Sequence, residues 1–197
     1  MPVAKDLMRT LVVLADEGYS FLVVPGGGPM ADLVREIYSS HKTTEEAAHW
    51  MAILAMEQYA YFLADEGKAS LTRNISRPQL GQAVEVLLPY QALLEDDLGL
   101  GHTWDYTSDS VALLVAAQLK APLVKVTNVD GVILNGKVVE EVSAKSLLGS
   151  ESCIDQGTLC LLCGRLYGAS VWVLNGTDMN RFASNLKNGE GGTVIRG

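Results

Sequence analysis

Residues 20–24, Ser-Phe-Leu-Val-Val, lead directly into Pro25-Gly26-Gly27-Gly28-Pro29, and the chain then resumes with Leu33, Val34 and Ile37 at helical spacing. A short apolar run rich in β-branched residues fits a strand covered on both faces. Three consecutive glycines let the backbone turn sharply out of that strand and approach a ligand closely. Strand, glycine turn and helix in immediate succession read as the opening of an α/β unit.

The rest of the chain continues the pattern. Leu7, Met8, Leu11, Val12, Leu14 and Ala15 mark an amphipathic helix over residues 5–17 that Gly18 ends. Residues 44–64 open with a cap at Thr43 or Thr44 followed by acids, which suits a helix N-terminus. That helix is apolar nearly all round, through Ala48, Trp50, Met51, Ile53, Leu54, Met56, Tyr59 and Phe62, so it either lies deep or meets another subunit, and a homo-oligomer is expected. Strands are expected at 84–88, 123–127, 170–174 and 193–195, the one at 123–127 buried, and helices at 108–119, at 157–166 and from Met179 onward. Asn135-Gly136 between two β-rich triplets predicts a hairpin with a type I′ turn. Strands separated by helices along the whole length predict one domain over residues 1–197, a three-layer αβα sandwich with a mainly parallel central sheet. Ligands in such folds bind at the carboxyl ends of the strands.

Composition narrows the partners. The formal charge of −8 is spread along the chain without a Lys/Arg cluster, so no nucleic acid partner is expected and an anionic ligand must be held locally by N–H groups and helix N-termini. The longest apolar runs, such as residues 111–117, fall far short of the ~20 residues that span a bilayer, and the N-terminus lacks a signal-peptide pattern. A cytoplasmic protein without a membrane partner is expected. Cys153, Cys160 and Cys163, an odd count, suggest reduced thiols rather than a disulfide framework.

Several motifs could carry chemistry, each with a purely structural alternative. Gly26-Gly27-Gly28 makes a phosphate cradle or a tight turn that needs positive φ, and no Gly-Lys-Ser/Thr follows it. Thr107-Ser108-Asp109-Ser110 opens a helix beside a polar loop with His102, Trp104 and Asp105, where Ser or Asp could simply cap. Thr127-Asn128-Val129-Asp130-Gly131 and Asn175-Gly176 each follow a strand and suit a nucleotide's sugar or phosphates, or are plain turns. Cys160 and Cys163 at helical spacing are half a zinc site at most, and buried packing is the simpler reading.

The order of these pieces resembles the amino acid kinase family, through Val-Val-Pro-Gly-Gly-Gly at 23–28, Thr-Ser-Asp-Ser at 107–110, Thr-Asn-Val-Asp-Gly-Val at 127–132, Asn-Gly at 175–176 and Gly-Gly-Thr-Val-Ile at 191–195. Residues 101–110 and the short length are most similar to a small archaeal and methylotroph branch whose members include a kinase of an aminomethylfuran-methyl phosphate. The resemblance implies an ATP- and Mg²⁺-dependent phosphotransferase acting on a small phosphorylated acceptor, that furan phosphate first, with UMP or isopentenyl phosphate behind it. It also implies roles. Gly26, Gly27 and Gly28 would hold the acceptor and the transferring phosphoryl group, with Trp104, Asp105, Thr107 and Ser108 at the acceptor. Thr127, Asn128, Asp130, Gly131, Asn175 and Gly176 would lie along ATP, and Asp109 would orient catalytic lysines.

Two positions depart from the family pattern. The family's opening Lys-x-Gly-Gly-Ser strand is not found, since the sequence begins Met1-Pro2-Val3 and enters a helix, which predicts that Met1 is internal to a longer chain. A second family lysine is also not found: residues 156–165 contain none, Cys160 lies near its expected place, and Arg165 is the only cation there. Groups of this kind contribute roughly a few kcal/mol each to transition-state charge. Slow or absent turnover is therefore expected, and a nucleotide-binding homologue that has lost catalysis is the alternative.

Overall fold

A computed structural model describes residues 2–76 and 84–197; Met1 lies outside the described residues. The chain divides into two compact units, residues 1–111 and 112–197.

The first unit begins with α1 (Pro2–Asp16), followed by β1 (Phe21–Val23), α2 (Gly28–His41), α3 (Glu45–Gly67), β2 (Ser70–Thr72), β3 (Val84–Leu87) and α4 (Pro89–Leu93). Its sheet is all parallel in the order β1-β3-β2, with Phe21 beside Val84 and Ser70 beside Glu85. β3 is buried throughout, as expected of a central strand. α3 is the organising helix and packs against α1, α2, α4, β2 and β3. Thr44 caps it by accepting from the Ala47 N–H at 3.2 Å, and Glu45 and Glu46 face the positive end of its dipole. Its apolar girth is mostly used inside the unit, where Ala48, Ile53, Ala55, Met56, Ala60 and Leu63 are buried, while Leu54 and Tyr61 stay exposed. Placed between the sheet and three other helices, α3 needs more than one apolar stripe.

α5 (Ser108–Leu119) carries the chain into the second unit, which continues with β4 (Leu123–Thr127), β5 (Ile133–Leu134), β6 (Lys137–Val138), β7 (Glu141–Ser143), α6 (Ala144–Leu147), α7 (Gln156–Cys163), β8 (Ser170–Asn175), α8 (Met179–Asn188) and β9 (Thr193–Arg196). Its sheet runs β4-β8-β9-β7, parallel except where β8 meets β9. The core holds Leu159, Leu162, Val173, Leu174, Phe182 and Ile195, all at most 1% exposed. The β5–β6 hairpin turns at Asn135 (φ 51°) and Gly136 (φ 75°), the two positive φ values that a type I′ turn requires. The mainly parallel α/β class is as the sequence predicts. Among the described residues its strands form two separate hydrogen-bonded sheets and the hairpin.

Two local expectations are corrected. β4 is only half-buried and its Val126 is 36% exposed, because it is an edge strand with β8 alone beside it. Cys160 is exposed rather than packed: α7 buries Leu159, Leu161 and Leu162, and the three-residue spacing carries Cys160 and Cys163 away from that face. Among the described residues no helix is long and apolar enough to cross a membrane.

Candidate functional site

In the first unit a cleft opens between the start of α2, the first half of α3 and the loop over residues 101–107. It is lined by Gly27, Ala31 and Arg35 from α2 and its cap, by Glu45, His49, Ala52, Ile53 and Met56 from α3, and by Thr103, Trp104, Tyr106, Thr107 and Ser108.

The glycine turn builds one wall. Gly27 is the N-cap of α2, and a Cβ there would collide with the Ala31 side chain. Gly28 sits at φ 52°, where a Cβ would come within 3.0 Å of the Tyr59 ring. A Cβ at Gly26 would lie 3.7 Å from Ser108 Oγ, so the turn runs close to the start of α5. No side chain caps α2, and Pro29 has no N–H to offer. The first-turn donors are thus left to face solvent or an anion.

On the α3 side of the cleft, His49 belongs to a charged aromatic stack whose other members lie outside the lining. His102 is clamped between two carboxylates, Nδ1 at 2.6 Å from Glu46 Oε2 and Nε2 at 2.9 Å from Asp97 Oδ2. Glu46 also accepts from the Trp50 indole N–H at 2.8 Å. Burial disfavours the charged form of His102, but the two carboxylates outweigh it and raise its pKa above the ordinary histidine value. The His102 hydrogen bond, foremost, and that from Trp50 lower the Glu46 pKa. His49 stacks on His102 with ring centroids 4.2 Å apart. Burial, reinforced by the adjacent His102 charge, pushes the His49 pKa down to about 4, so this imidazole is neutral at physiological pH.

Trp104 packs on Ala31, Val34 and Ala55, with Tyr38 at 5.5 Å and the Arg35 guanidinium 5.8 Å from its ring centroid. Two polar atoms, His49 Nε2 and Trp104 Nε1, are buried with no protein hydrogen-bond partner among the described residues. Both residues line the cleft.

The second unit gathers the other predicted residues at the carboxyl ends of β4 and β8. Parallel pairing sets Thr127 beside Asn175, and the Gly176 N–H donates to the Thr127 carbonyl at 2.7 Å. The Asn175 amide donates to Asp130 Oδ1 at 2.8 Å, and the Arg181 guanidinium reaches the same oxygen at 3.1 Å. Asn175 Oδ1 in turn accepts from the Thr177 N–H and hydroxyl. Gly131, at φ 146°, leaves no room for a Cβ beside Thr193. Asn128 follows Thr127 in the same turn, its Oδ1 accepting from the Thr127 hydroxyl at 3.4 Å.

Of the residues singled out from the sequence, Gly27, Trp104, Thr107 and Ser108 meet in the first-unit cleft, with Gly26 and Gly28 in the turn beside it. Asp105 is exposed and does not line it; Asp109 sits half-buried in the first turn of α5. Thr127, Asp130, Asn175 and Gly176 form the second cluster. Sequence reasoning missed Arg35, Glu45, His49 and Arg181. His49 carried a usable signal, a histidine among the apolar positions of a helix, but nothing local marked its stacking partner.

The chain belongs to the amino acid kinase family, whose sequence pattern matches residues 2–161. It is 30% identical over 190 residues to the [5-(aminomethyl)furan-3-yl]methyl phosphate kinase of Methanocaldococcus jannaschii, covering 90% of this chain and 84% of that protein. Its fold is similar to that of the uridylate kinase of Archaeoglobus fulgidus, with a TM-score of 0.69, 21% identity and coverage of 98% of this chain and 91% of that one. The UMP kinase of Ureaplasma parvum gives a TM-score of 0.73 at 16% identity, covering 98% and 89%.

Proposed function

We propose that this protein is an ATP-dependent phosphotransferase acting on a small phosphorylated acceptor, first [5-(aminomethyl)furan-3-yl]methyl phosphate and otherwise UMP or isopentenyl phosphate. The observation that carries the reading is the cleft itself, where an uncapped helix start, a glycine turn and an arginine adjoin an apolar wall. The match to a furan phosphate kinase over nearly the whole chain supports the same acceptor class.

In this reading an acceptor phosphate oxygen attacks the terminal phosphorus of ATP, forming a phosphoanhydride while ADP leaves. The chain's part is positioning and charge. Gly27, Gly28, Trp104, Thr107 and Ser108 hold the acceptor, Asp105 lying outside the cleft, and Thr127, Asn128, Asp130, Gly131, Asn175 and Gly176 hold the nucleotide. These ends of β4 and β8 fit a nucleotide, offering hydroxyl and amide groups and the Arg181 cation. Asp109 orients the groups around the transferred phosphoryl. Among the described residues no group of three or more His, Cys, Asp or Glu is built to hold a metal. Mg²⁺ brought in with the nucleotide would supply charge neutralisation. The reading includes a cytoplasmic homo-oligomer of single-domain chains, in keeping with three cysteines outside any disulfide and with Leu54 and Tyr61 exposed on α3.

An ADP-release assay across the three acceptors tests the proposal: release that depends on one of them supports it, and none with any of them defeats it. A second reading, a nucleotide-binding homologue without catalysis, is favoured by α7, which carries no lysine and an exposed Cys160. ATP heat in calorimetry without transfer would select it.

A further inference from the structure

The two orphaned polar atoms differ in chemistry. The Trp104 indole N–H can only donate. Beside it lies Arg35, another donor-only group, which also pairs with Asp32 at 2.7 Å but has further N–H groups to offer. This side of the cleft is a donor pole.

His49 is 6% exposed, and its Nε2 lacks a protein partner. Its ring is neutral, and Nε2 presents a lone pair in the Nδ1–H tautomer, the form an ammonium at this position selects. One helical turn before it, at the i−4 position on the same face of α3, Glu45 adds a carboxylate to the cleft lining. Glu46 is already engaged by His102 and Trp50, so Glu45 and His49 are the side-chain acceptors that α3 offers the cleft. Buried polar atoms need partners, and the two orphaned atoms belong to residues that line the cleft, from which a ligand can reach them.

We propose that this cleft reads a zwitterionic acceptor, with Trp104 and Arg35 donating to its phosphate and His49 and Glu45 accepting from its ammonium. The inference rests on the phosphorylated-acceptor reading and sharpens it: an aminomethyl phosphate satisfies both poles, whereas UMP and isopentenyl phosphate satisfy only the donor pole. A free ammonium on the acceptor thereby becomes the specificity element. His49 is held for this role by its stack on the clamped His102, which makes His102, Glu46 and Asp97 positioning residues.

Calorimetry on the full chain tests it with two probes, [5-(aminomethyl)furan-3-yl]methyl phosphate and its hydroxymethyl analogue, which keeps the phosphate and drops the cation. The wild-type protein should prefer the amine by about tenfold or more, the scale of a charge-assisted hydrogen bond. His49→Phe, which retains the stacking ring, and Glu45→Gln, an exposed position, should each shrink that preference. Trp104→Phe should weaken both probes together, because it removes the indole donor at the phosphate pole. Equal wild-type binding of both probes, binding of neither, or amine preference surviving in both Glu45→Gln and His49→Phe overturns the proposal. Should His49→Phe not fold, Glu45→Gln decides. Parallel ADP release keeps the two questions separate. Amine preference without ADP release upholds the recognition and removes the kinase reading, and ADP release without amine preference does the reverse.

Discussion

Replacing His49 with Phe should change how stability depends on pH, and the size of the change follows from the burial of the ring. Burial and the neighbouring His102 charge lower the His49 pKa from 6.5 to about 4 in the folded protein. The groups facing it are His102, Glu46 and Asp97, with Glu45 one turn away and Arg35 lining the same cleft. Between those two pKa values the unfolded chain binds a proton at His49 that the folded chain refuses. Stability is therefore undiminished above pH 6.5 and falls as pH drops toward 4. The full gap corresponds to about 3 kcal/mol, of which about 2 kcal/mol has developed by pH 5. His102 has the opposite sign: its raised pKa contributes stability present below 6.5 and lost as pH climbs through the folded value, but it is common to both proteins. Urea unfolding followed by tryptophan fluorescence at pH 7.5 and pH 5 should show the wild type losing about 2 kcal/mol relative to His49→Phe. A difference constant to within about 0.3 kcal/mol across that range would refute the reasoning.

Gly28→Ala should destabilise by about 1–2 kcal/mol, because it places a side chain at φ 52° and against the Tyr59 ring; an unchanged melting temperature contradicts this. Thr193→Val should cost about 1–3 kcal/mol in chemical denaturation, since the fully buried Thr193 hydroxyl accepts from the Val132 N–H and donates to the Val139 carbonyl, and both would be orphaned. Glu46→Gln should move the His102 titration midpoint down toward the ordinary histidine value in NMR, and a midpoint that stays put would show that Glu46 does not hold the proton there.

Local chemistry made much of the fold legible. The glycine turn into α2, the Thr44 cap of α3 and the Asn135-Gly136 hairpin each depend on residues adjacent in sequence, and each forms as expected. β2, β7, α4 and α6 escaped notice because three to five residues are too few to show periodicity. The cleft was half visible: Gly27, Trp104, Thr107 and Ser108 stand out in the sequence, and Gly27 meets the others only because β1 and β3 are paired and α2 lies on α3. The rest depends on distant partners. Glu46 and His102 are 56 residues apart and Asp130 and Arg181 are 51 apart, so neither pair has a local signature. His49 looks like one more member of an apolar helix until His102 is laid against it.

Phosphorus NMR of the protein with Mg·ATP and [5-(aminomethyl)furan-3-yl]methyl phosphate tests the central claim most directly. The proposed function predicts that the acceptor's phosphomonoester signal gives way to the two coupled signals of a diphosphate as ATP becomes ADP. Unchanged acceptor signals with this compound, UMP and isopentenyl phosphate alike, with ATP intact or hydrolysed only to free phosphate, would contradict it.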